Sequence, residues 1–522
     1  TAALVFGDVF SAVTCMMLAY ASYLVVNANR DSPTRLNGNI PEWWSQIIVP
    51  VTLGAMALRF VWKTPGKWIG RALSLAVCIG MALLFRKFGG DHAHAFFWPL
   101  TIISVIAFVL GVPVFAAMGA LAMLLFFNQD SPIASVPEAT LQLVQTSALP
   151  AIPLLTLAGY ILAAGGASQR MVRAYKSLFG WLPGGVGLMV IFVCAAFTTF
   201  TGGSGVTILA LGGLLYPALI KDRYPEGFSL GLVTASGSLG LLFPPSLPVI
   251  LYGAVAGVAP DKLFLGGLVP GVLLMLVVGA YTMRAGIASH APRQPFDAKE
   301  VRAALWAAKW DLGLPLIVLA VILSGRGLIV EASALGAAYA LAVEVIVFRD
   351  VHPLKEMPRV IVQSASLVGA VVILMGAAFG LHAFLVDAQV PELLVSWVQA
   401  HFHSQWTFLL ALNALLLVLG SVFEIYAAII TLAPLVAPLG VAFGIEPVHL
   451  GVVFLANLEL GFLFPPMGLN LFLSASRFNK PLPYLYKQAL PFLIIMAIGV
   501  LVITYLPAMT TGVVALFGHG AP

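Results

Sequence analysis

The sequence predicts an all-α polytopic membrane protein, built from inverted repeats with two re-entrant hairpins and two broken helices. Three observations lead there. Apolar runs of about 17 to 30 residues recur from end to end, each long enough to cross a hydrocarbon core of about 30 Å as a helix. Of 522 residues, 61% are hydrophobic and 9% charged, which excludes a water-soluble globule. The pattern G-x-x-F-P-P occurs twice inside such runs, at Gly240–Pro245 and Gly461–Pro466, where proline breaks a helix. Lipid offers backbone amides no partners, and the roughly 10-residue alternation of a membrane barrel is absent, so the runs are read as helices. The net charge of +5 suits an anionic bilayer, and no basic cluster interleaved with aromatics points to nucleic acid. Cys15, Cys78 and Cys194 lie within apolar runs at no disulfide or metal spacing.

The chain opens TAALVFGDVF, already apolar and without an initiator Met, so a preceding segment is expected. Segment 68–88 is basic at both ends and reads as a flat helix at the cytoplasmic surface or as a span. Basic loops mark the cytoplasmic side: Arg170/Arg173/Lys176, Lys221/Arg223, Arg284 to Lys309, Arg349/Lys355/Arg359 and Arg477/Lys480/Lys487. Loops 128–147 and 387–405 hold no Lys or Arg and are assigned outside. Between these marks a run crosses at 148–166, a hairpin enters and leaves the inner face at 188–220, and a broken helix goes outward at 228–257. Runs at 263–283, 311–324 and 328–348 follow, and 360–385 goes outward again. A second hairpin enters the outer face at 406–443, a second broken helix goes inward at 448–474, and the last run is 489–508.

The two halves therefore run in opposite directions, and a gap-free offset of 221 superimposes them. Ile208, Leu211, Leu214 and Pro217 fall on Ile429, Leu432, Leu435 and Pro438, while Ala235 and Leu239 fall on Ala456 and Leu460 ahead of the two Pro-Pro motifs. Inverted repeats with a discontinuous helix in each are the signature of a secondary transporter. Two successive prolines free carbonyls that can bind a cation, and the half-helix beyond the break offers amides and partial positive charge to an anion. The plainer alternative is a kink, which membrane helices tolerate. Polar residues crowd the breaks: TFTGGSG (Thr199 to Gly205), Ser236, Ser238 and Ser246 in the first unit, SVFEIY (Ser421 to Tyr426), ANLE (Ala456 to Glu459) and Asn470 in the second. Small residues also mediate close helix packing, which is the alternative for the serines and glycines. Glu424 and Glu459 fall at membrane depth, where an unpaired charge costs at least about 2.5 kcal/mol, so each is a functional candidate unless structurally paired. His382 and Glu344 stand alone in their runs, and no nucleophile–base pair, metal cluster or phosphate loop suggests an enzyme or direct ATP drive.

These segments resemble the large membrane subunit of the tripartite ATP-independent periplasmic (TRAP) transporters, in the branch of C4-dicarboxylate permeases. The resemblance runs from about 97 to 510 and rests on AIPLLTLAGYILAAGGASQRMV, GWLPGGVGL, TGGSGVTILALGGLLYPAL, ASGSLGLLFPPSLPVILYG and LANLELGFLFPPMGLNLF. Residues 1–62, with IPEWWSQIIVPVTLGAMALRFVW, resemble the last two helices of the family's small membrane subunit, which implies a fused chain lacking that subunit's first two helices. The expected domains are 1–62 small-subunit-like, 63–96 connecting helix and loops, and 97–522 transporter, with repeat 1 at about 148–283 and repeat 2 at about 360–508. The resemblance implies sodium-driven, elevator-type uptake across a bacterial inner membrane, of a small organic anion handed over by a periplasmic solute-binding protein. A binding-protein-independent elevator symporter, or a channel, is the alternative.

On that reading sodium ions sit between each hairpin tip and its break. The first site draws on Thr201, Gly202, Ser204, Gly240, Phe243, Pro244 and Ser246, and the second on Glu424, Gly461, Phe464, Pro465 and Gly468. The solute is expected at Gly203, Ser236, Ser238, Pro245, Tyr426, Asn457, Pro466, Met467 and Asn470. Two departures from the family pattern stand out: the tip, commonly Ser-Gly-Ser-Ser, reads Thr201-Gly202-Gly203-Ser204, and Phe464 replaces a frequent Thr. No Lys or Arg lies at membrane depth in these units, so sodium and half-helix amides are expected to neutralise the solute carboxylate.

Overall fold

The computed structural model describes residues 2–31, 35–36, 40–64, 67–88, 93–144, 149–323, 329–465 and 468–517. Among these the architecture is helical, the strands being one short antiparallel pair that sets Arg35 against Pro41 and Leu36 against Ile40. Ten helices among the described residues are long and apolar enough to cross a membrane, or eleven if the bent pair Ala151–Ala164 and Ala167–Phe179 is one span. The chain divides into two compact units, Thr1–Thr146 with Ala370–Leu394, and Ser147–Gly369 with Val395–Pro522.

In the first unit the helices Ala2–Ala28 and Ile48–Lys63 lie along each other. Their apolar faces join Ala122, Met123, Phe126, Val136 and Phe384 in a core where the Phe126 and Phe384 rings meet edge-on at 5.4 Å. The helix Lys67–Phe88 turns back beside them, with Ser74 and Cys78 buried. Its Arg71 stacks 4.4 Å over the Trp62 ring and donates to the Trp62 carbonyl at 3.2 Å. The stretch 128–147, read as a loop and placed outside for its lack of basic residues, contains the helix Ser135–Val144, and 387–405, read likewise, contains Val390–His401. Absence of Lys and Arg reports sidedness, not backbone conformation.

The second unit holds both hairpins and both broken helices, while Ala370–Leu394 of the second repeat belongs to the first unit. The first hairpin is Gly185–Thr201 and Ser204–Lys221, and its broken helix is Glu226–Ser236 and Leu247–Ala256. The second hairpin is Gln405–Val422 and Ile425–Ala442, and its broken helix is Pro447–Gly461 and Leu469–Phe478. The helix ends Thr201 and Val422, Ser204 and Ile425, Lys221 and Ala442, and Glu226 and Pro447 are each 221 residues apart (422 minus 201, and likewise), as the gap-free register requires.

The two hairpins close by different chemistry. At the first tip Gly202 takes φ 67° and its amide reaches the Thr198 carbonyl at 2.9 Å, a left-handed helix end that favours glycine. At the second tip Phe423 and Glu424 are extended, and the Glu424 carboxylate caps the next helix by accepting from the amides of Tyr426 (3.0 Å) and Ala427 (3.4 Å). A glycine is unnecessary there.

The helix Ala151–Ala164 turns by 75° into the strongly amphipathic Ala167–Phe179. Arg170 holds that bend to the connector between the repeats, made of Ala298–Leu323, Ile329–Leu341 and the π-turn Ala342–Val347. Its guanidinium grips both oxygens of Asp311 at 2.6 and 2.9 Å, Glu344 at 2.6 Å and Asp350 at 2.5 Å, and lies 3.7 Å over the Phe348 ring. Glu344, alone in its apolar run, thus finds its partner 174 residues away.

Candidate functional site

Each hairpin tip is pressed against its own helix break. In the first repeat the break runs over 237–246, between the half-helices Glu226–Ser236 and Leu247–Ala256. Thr198 donates to the Gly237 carbonyl at 2.7 Å, and Thr199 donates to the Gly240 carbonyl at 3.1 Å as well as to Ala195 in its own helix at 2.8 Å. Thr198 also shares a 2.7 Å hydrogen bond with Thr207, which lies 3.4 Å from Thr201. Three hydroxyls and a carbonyl therefore meet in a buried cluster where the hairpin crosses the break.

The first glycine of each G-x-x-F-P-P motif marks the point of closest backbone approach. A Cβ on Gly240 would stand 2.8 Å from Thr198 Cβ, and one on Gly461 would stand 2.6 Å from the Gly420 carbonyl carbon. Gly420 occupies the position that the 221 offset assigns to Thr199, so the same crossing recurs in the second repeat with backbone against backbone.

Beyond Gly240 the amides of Leu241, Phe243 and Ser246 donate to Ser238, Gly240 and Phe243 at 3.0 to 3.2 Å. The Leu241, Leu242 and Pro244 carbonyls have no backbone donor among the described residues. The Pro244–Pro245 peptide is cis. Ser246 is the N-cap of Leu247–Ala256 and is fully buried, as is Ser236, and neither Oγ has a partner among the described residues. Ser238 is buried too but donates back to the Ala235 carbonyl at 3.2 Å. Thr201, also buried, points back within its own tip towards the Gly203 carbonyl at 3.4 Å.

The two repeats then meet each other. Tyr426, in the first turn after the second tip, donates its hydroxyl to the Gly202 carbonyl at the first tip at 2.8 Å, joining residues 224 apart. Asn470, in the second half of the second broken helix, donates to the Thr234 carbonyl in the first broken helix at 3.2 Å, and Thr234 donates to Ser474 at 2.8 Å. The Asn470 Oδ1 is left without a partner among the described residues. Gly468, the N-cap of Leu469–Phe478, donates to the Phe464 carbonyl at 3.2 Å, and the turn between holds Pro465. Pro466 and Met467 lie outside the described residues.

Two candidate residues have other partners, and a third has none among the described residues. Glu424 is exposed and occupied with capping. Asn457 bonds Asn413 of the second hairpin and the Val453 carbonyl (2.8 Å), and Asn413 in turn bonds Thr504 at 3.2 Å, a buried strut between helices. Glu459 is fully buried with both oxygens unpartnered among the described residues. The residues that reading the sequence left out are Thr198, Thr207, Thr234 and Ser474, while Thr199 was counted in the polar tip but given no site. Thr198 adjoins the polar tip, and that proximity was the signal available.

The donor set is oxygen throughout, hydroxyl and carbonyl, which suits a hard monovalent cation. The orphaned Ser236 and Ser246 hydroxyls fit such a ligand, because a buried polar atom without a partner costs about 1–3 kcal/mol. The N-terminus of Leu247–Ala256 supplies amides and roughly half a positive charge for an anion. No group of three His, Cys, Asp or Glu that could hold a metal occurs among the described residues.

The family described as "Tripartite ATP-independent periplasmic transporter, DctM component" matches residues 101–509. The C4-dicarboxylate TRAP transporter large permease protein DctM of Pseudomonas aeruginosa is 34% identical over 75% of this chain and 91% of its own length. The isethionate TRAP transporter permease protein DctMQ of Oleidesulfovibrio alaskensis is 31% identical over 90% of this chain and 75% of its own. The sialic acid permease SiaT of Haemophilus influenzae is 27% identical over 91% and 80%. In fold alone, the crystal structure of the Alcanivorax borkumensis YdaH transporter matches with a TM-score of 0.51 at 16% identity, over 73% of this chain and 90% of that one.

Proposed function

The chain belongs to the DctM-component family of tripartite ATP-independent periplasmic transporters, and from that premise we propose that it takes up a small organic anion, such as a C4-dicarboxylate, in symport with sodium. It is a multi-pass membrane permease for secondary transport. Its reach into the small-subunit region accords with the fused DctMQ relative, which matches 90% of the chain. The solute arrives from a periplasmic binding protein, and the bacterial inner membrane is the site of action. The chain moves its cargo without chemically changing it.

The observation that carries this reading is the convergence of two tips and two breaks on one buried polar centre, tied by Tyr426 to Gly202 at 2.8 Å and by Asn470 to Thr234 at 3.2 Å. Oxygens on Ser236, Ser246 and Asn470 that have no partner among the described residues face the shortage that a cation and a solute would relieve. The hairpins and broken helices place no Lys or Arg beside these residues, since Lys221 ends the first hairpin and Arg477 lies in the last turn of the final half-helix. An anion therefore depends on bound cations and amide ends for its countercharge, which makes the site poor for the anion until sodium has bound. The hairpins and broken helices travel together across the membrane as the carrying element.

Uptake of succinate and isethionate into proteoliposomes tests this, with sodium and a cognate binding protein each present or omitted. Saturable uptake that needs both is expected. Uptake unaffected by removing sodium would refute the coupling, and full uptake without any binding protein would refute the handover.

A further inference from the structure

We propose that the exposed face at the N-terminal end of the helix Ala298–Leu323 binds the headgroup of an anionic phospholipid. An open groove there, with a cavity of about 450 Å³, is lined by Phe296, Val301, Arg302, Leu305, Trp306 and Lys309. Positions 298, 302, 306 and 309 share one stripe of an α-helix, with Leu305 at its edge packed against the buried Ala174, Ala304 and Ala308 on the other side. The stripe is therefore the outward face. Trp306 is 69% exposed, and the Lys309 ammonium lies 3.3 Å from its ring centroid and 5.1 Å from that of Trp310.

The charge of the groove is uncompensated. Neither Arg302 nor Lys309 forms an ion pair among the described residues, whereas the neighbouring acids are engaged elsewhere. Glu300 holds Arg173 at 2.8 and 3.1 Å, Asp311 holds Arg170, and Asp297 accepts the Lys299 amide at 2.9 Å. Two free cations on an aromatic groove call for an anion, and the surroundings specify which kind. Arg302 and Lys309 are seven residues apart, about 10 Å along the axis. Past Lys309 the same helix continues as the apolar run LGLPLIVLAVIL, with Leu316 66% exposed. A phosphate at the two cations thus has an apolar surface below it for acyl chains, an arrangement a free phosphate would leave unused. The basic loop Arg284 to Lys309 assigns this end to the cytoplasmic leaflet, where anionic lipids attract Lys and Arg.

The test is the thermal-unfolding midpoint of the purified full chain in phosphatidylcholine nanodiscs, compared with discs containing increasing cardiolipin or phosphatidylglycerol. The wild type should show a saturable rise with either anionic lipid, and Arg302→Gln with Lys309→Gln should weaken the apparent affinity at least tenfold. An equal rise from inorganic phosphate, no difference between anionic and zwitterionic discs, or a double variant that titrates like wild type overturns the proposal. Should the double variant fail to fold, Trp306→Leu analysed by native mass spectrometry decides the matter. Anionic lipid retained at the wild-type level would then count against the site.

Discussion

Thr198 ties the first hairpin to the first break through the Gly237 carbonyl at 2.7 Å, and ties the two arms of the hairpin together through Thr207 at 2.7 Å. Both partners are buried, so removing its hydroxyl leaves unsatisfied groups that cost about 1–3 kcal/mol each. If sodium uses these oxygens, Thr198→Val with Thr207→Val should raise the sodium concentration for half-maximal uptake at least tenfold while the solute requirement at saturating sodium changes little. A sodium titration of uptake reads this directly, and an unshifted curve would remove sodium from the first tip. The prolines and glycines of the two motifs were legible in the sequence because their effect is on their own backbone. A threonine in an apolar helix was not, because it bonds its own preceding turn as readily as a neighbour, and only the crossing of two helices decides. Thr199 here does both.

Among the elements, the bend between Ala151–Ala164 and Ala167–Phe179 depends on one side chain. Arg170 offsets the charge of Asp311 and Glu344, both fully buried, and its planar fork satisfies both oxygens of Asp311 at once. Arg170→Met should therefore destabilise the protein by about 3–5 kcal/mol, because it leaves two buried acids without a countercharge. Arg170→Lys should recover only part of that, since an ammonium cannot fork. Thermal unfolding in one fixed lipid composition compares the three, and a Met variant as stable as wild type would show that the cluster holds nothing. In the sequence Arg170 was a marker of sidedness and Glu344 a solitary acid. Their pairing across 174 residues depends on how the amphipathic arm lies on the connector, which periodicity does not report.

At the scale of the whole molecule, the hairpins and broken helices of the second unit interlock through their polar centre and at their rims. The Tyr216 and Phe478 rings meet at 5.3 Å, joining the first hairpin to the second broken helix, and Lys480 pairs with Glu226 at 2.5 Å beside them. Elements held together in this way should travel as one body. Tyr216→Cys with Phe478→Cys, joined by a short bismaleimide, should accordingly keep most of its uptake, and loss of uptake on cross-linking but not on reduced, unlinked protein would show that the repeats must separate. The sequence by itself determined the membrane class, the inverted repeat, its register to the residue at four helix ends, and the two points of breakage. Each of these follows from local chemistry: the length of an apolar run against the thickness of a bilayer, the missing amide proton of proline, and a spacing kept without gaps. Only the tertiary structure decided which oxygens gather at the breaks and which acids surround Arg170. Those partners stand from 9 to 240 residues apart, and whether they touch is set by the angles at which helices cross rather than by any residue's own preference.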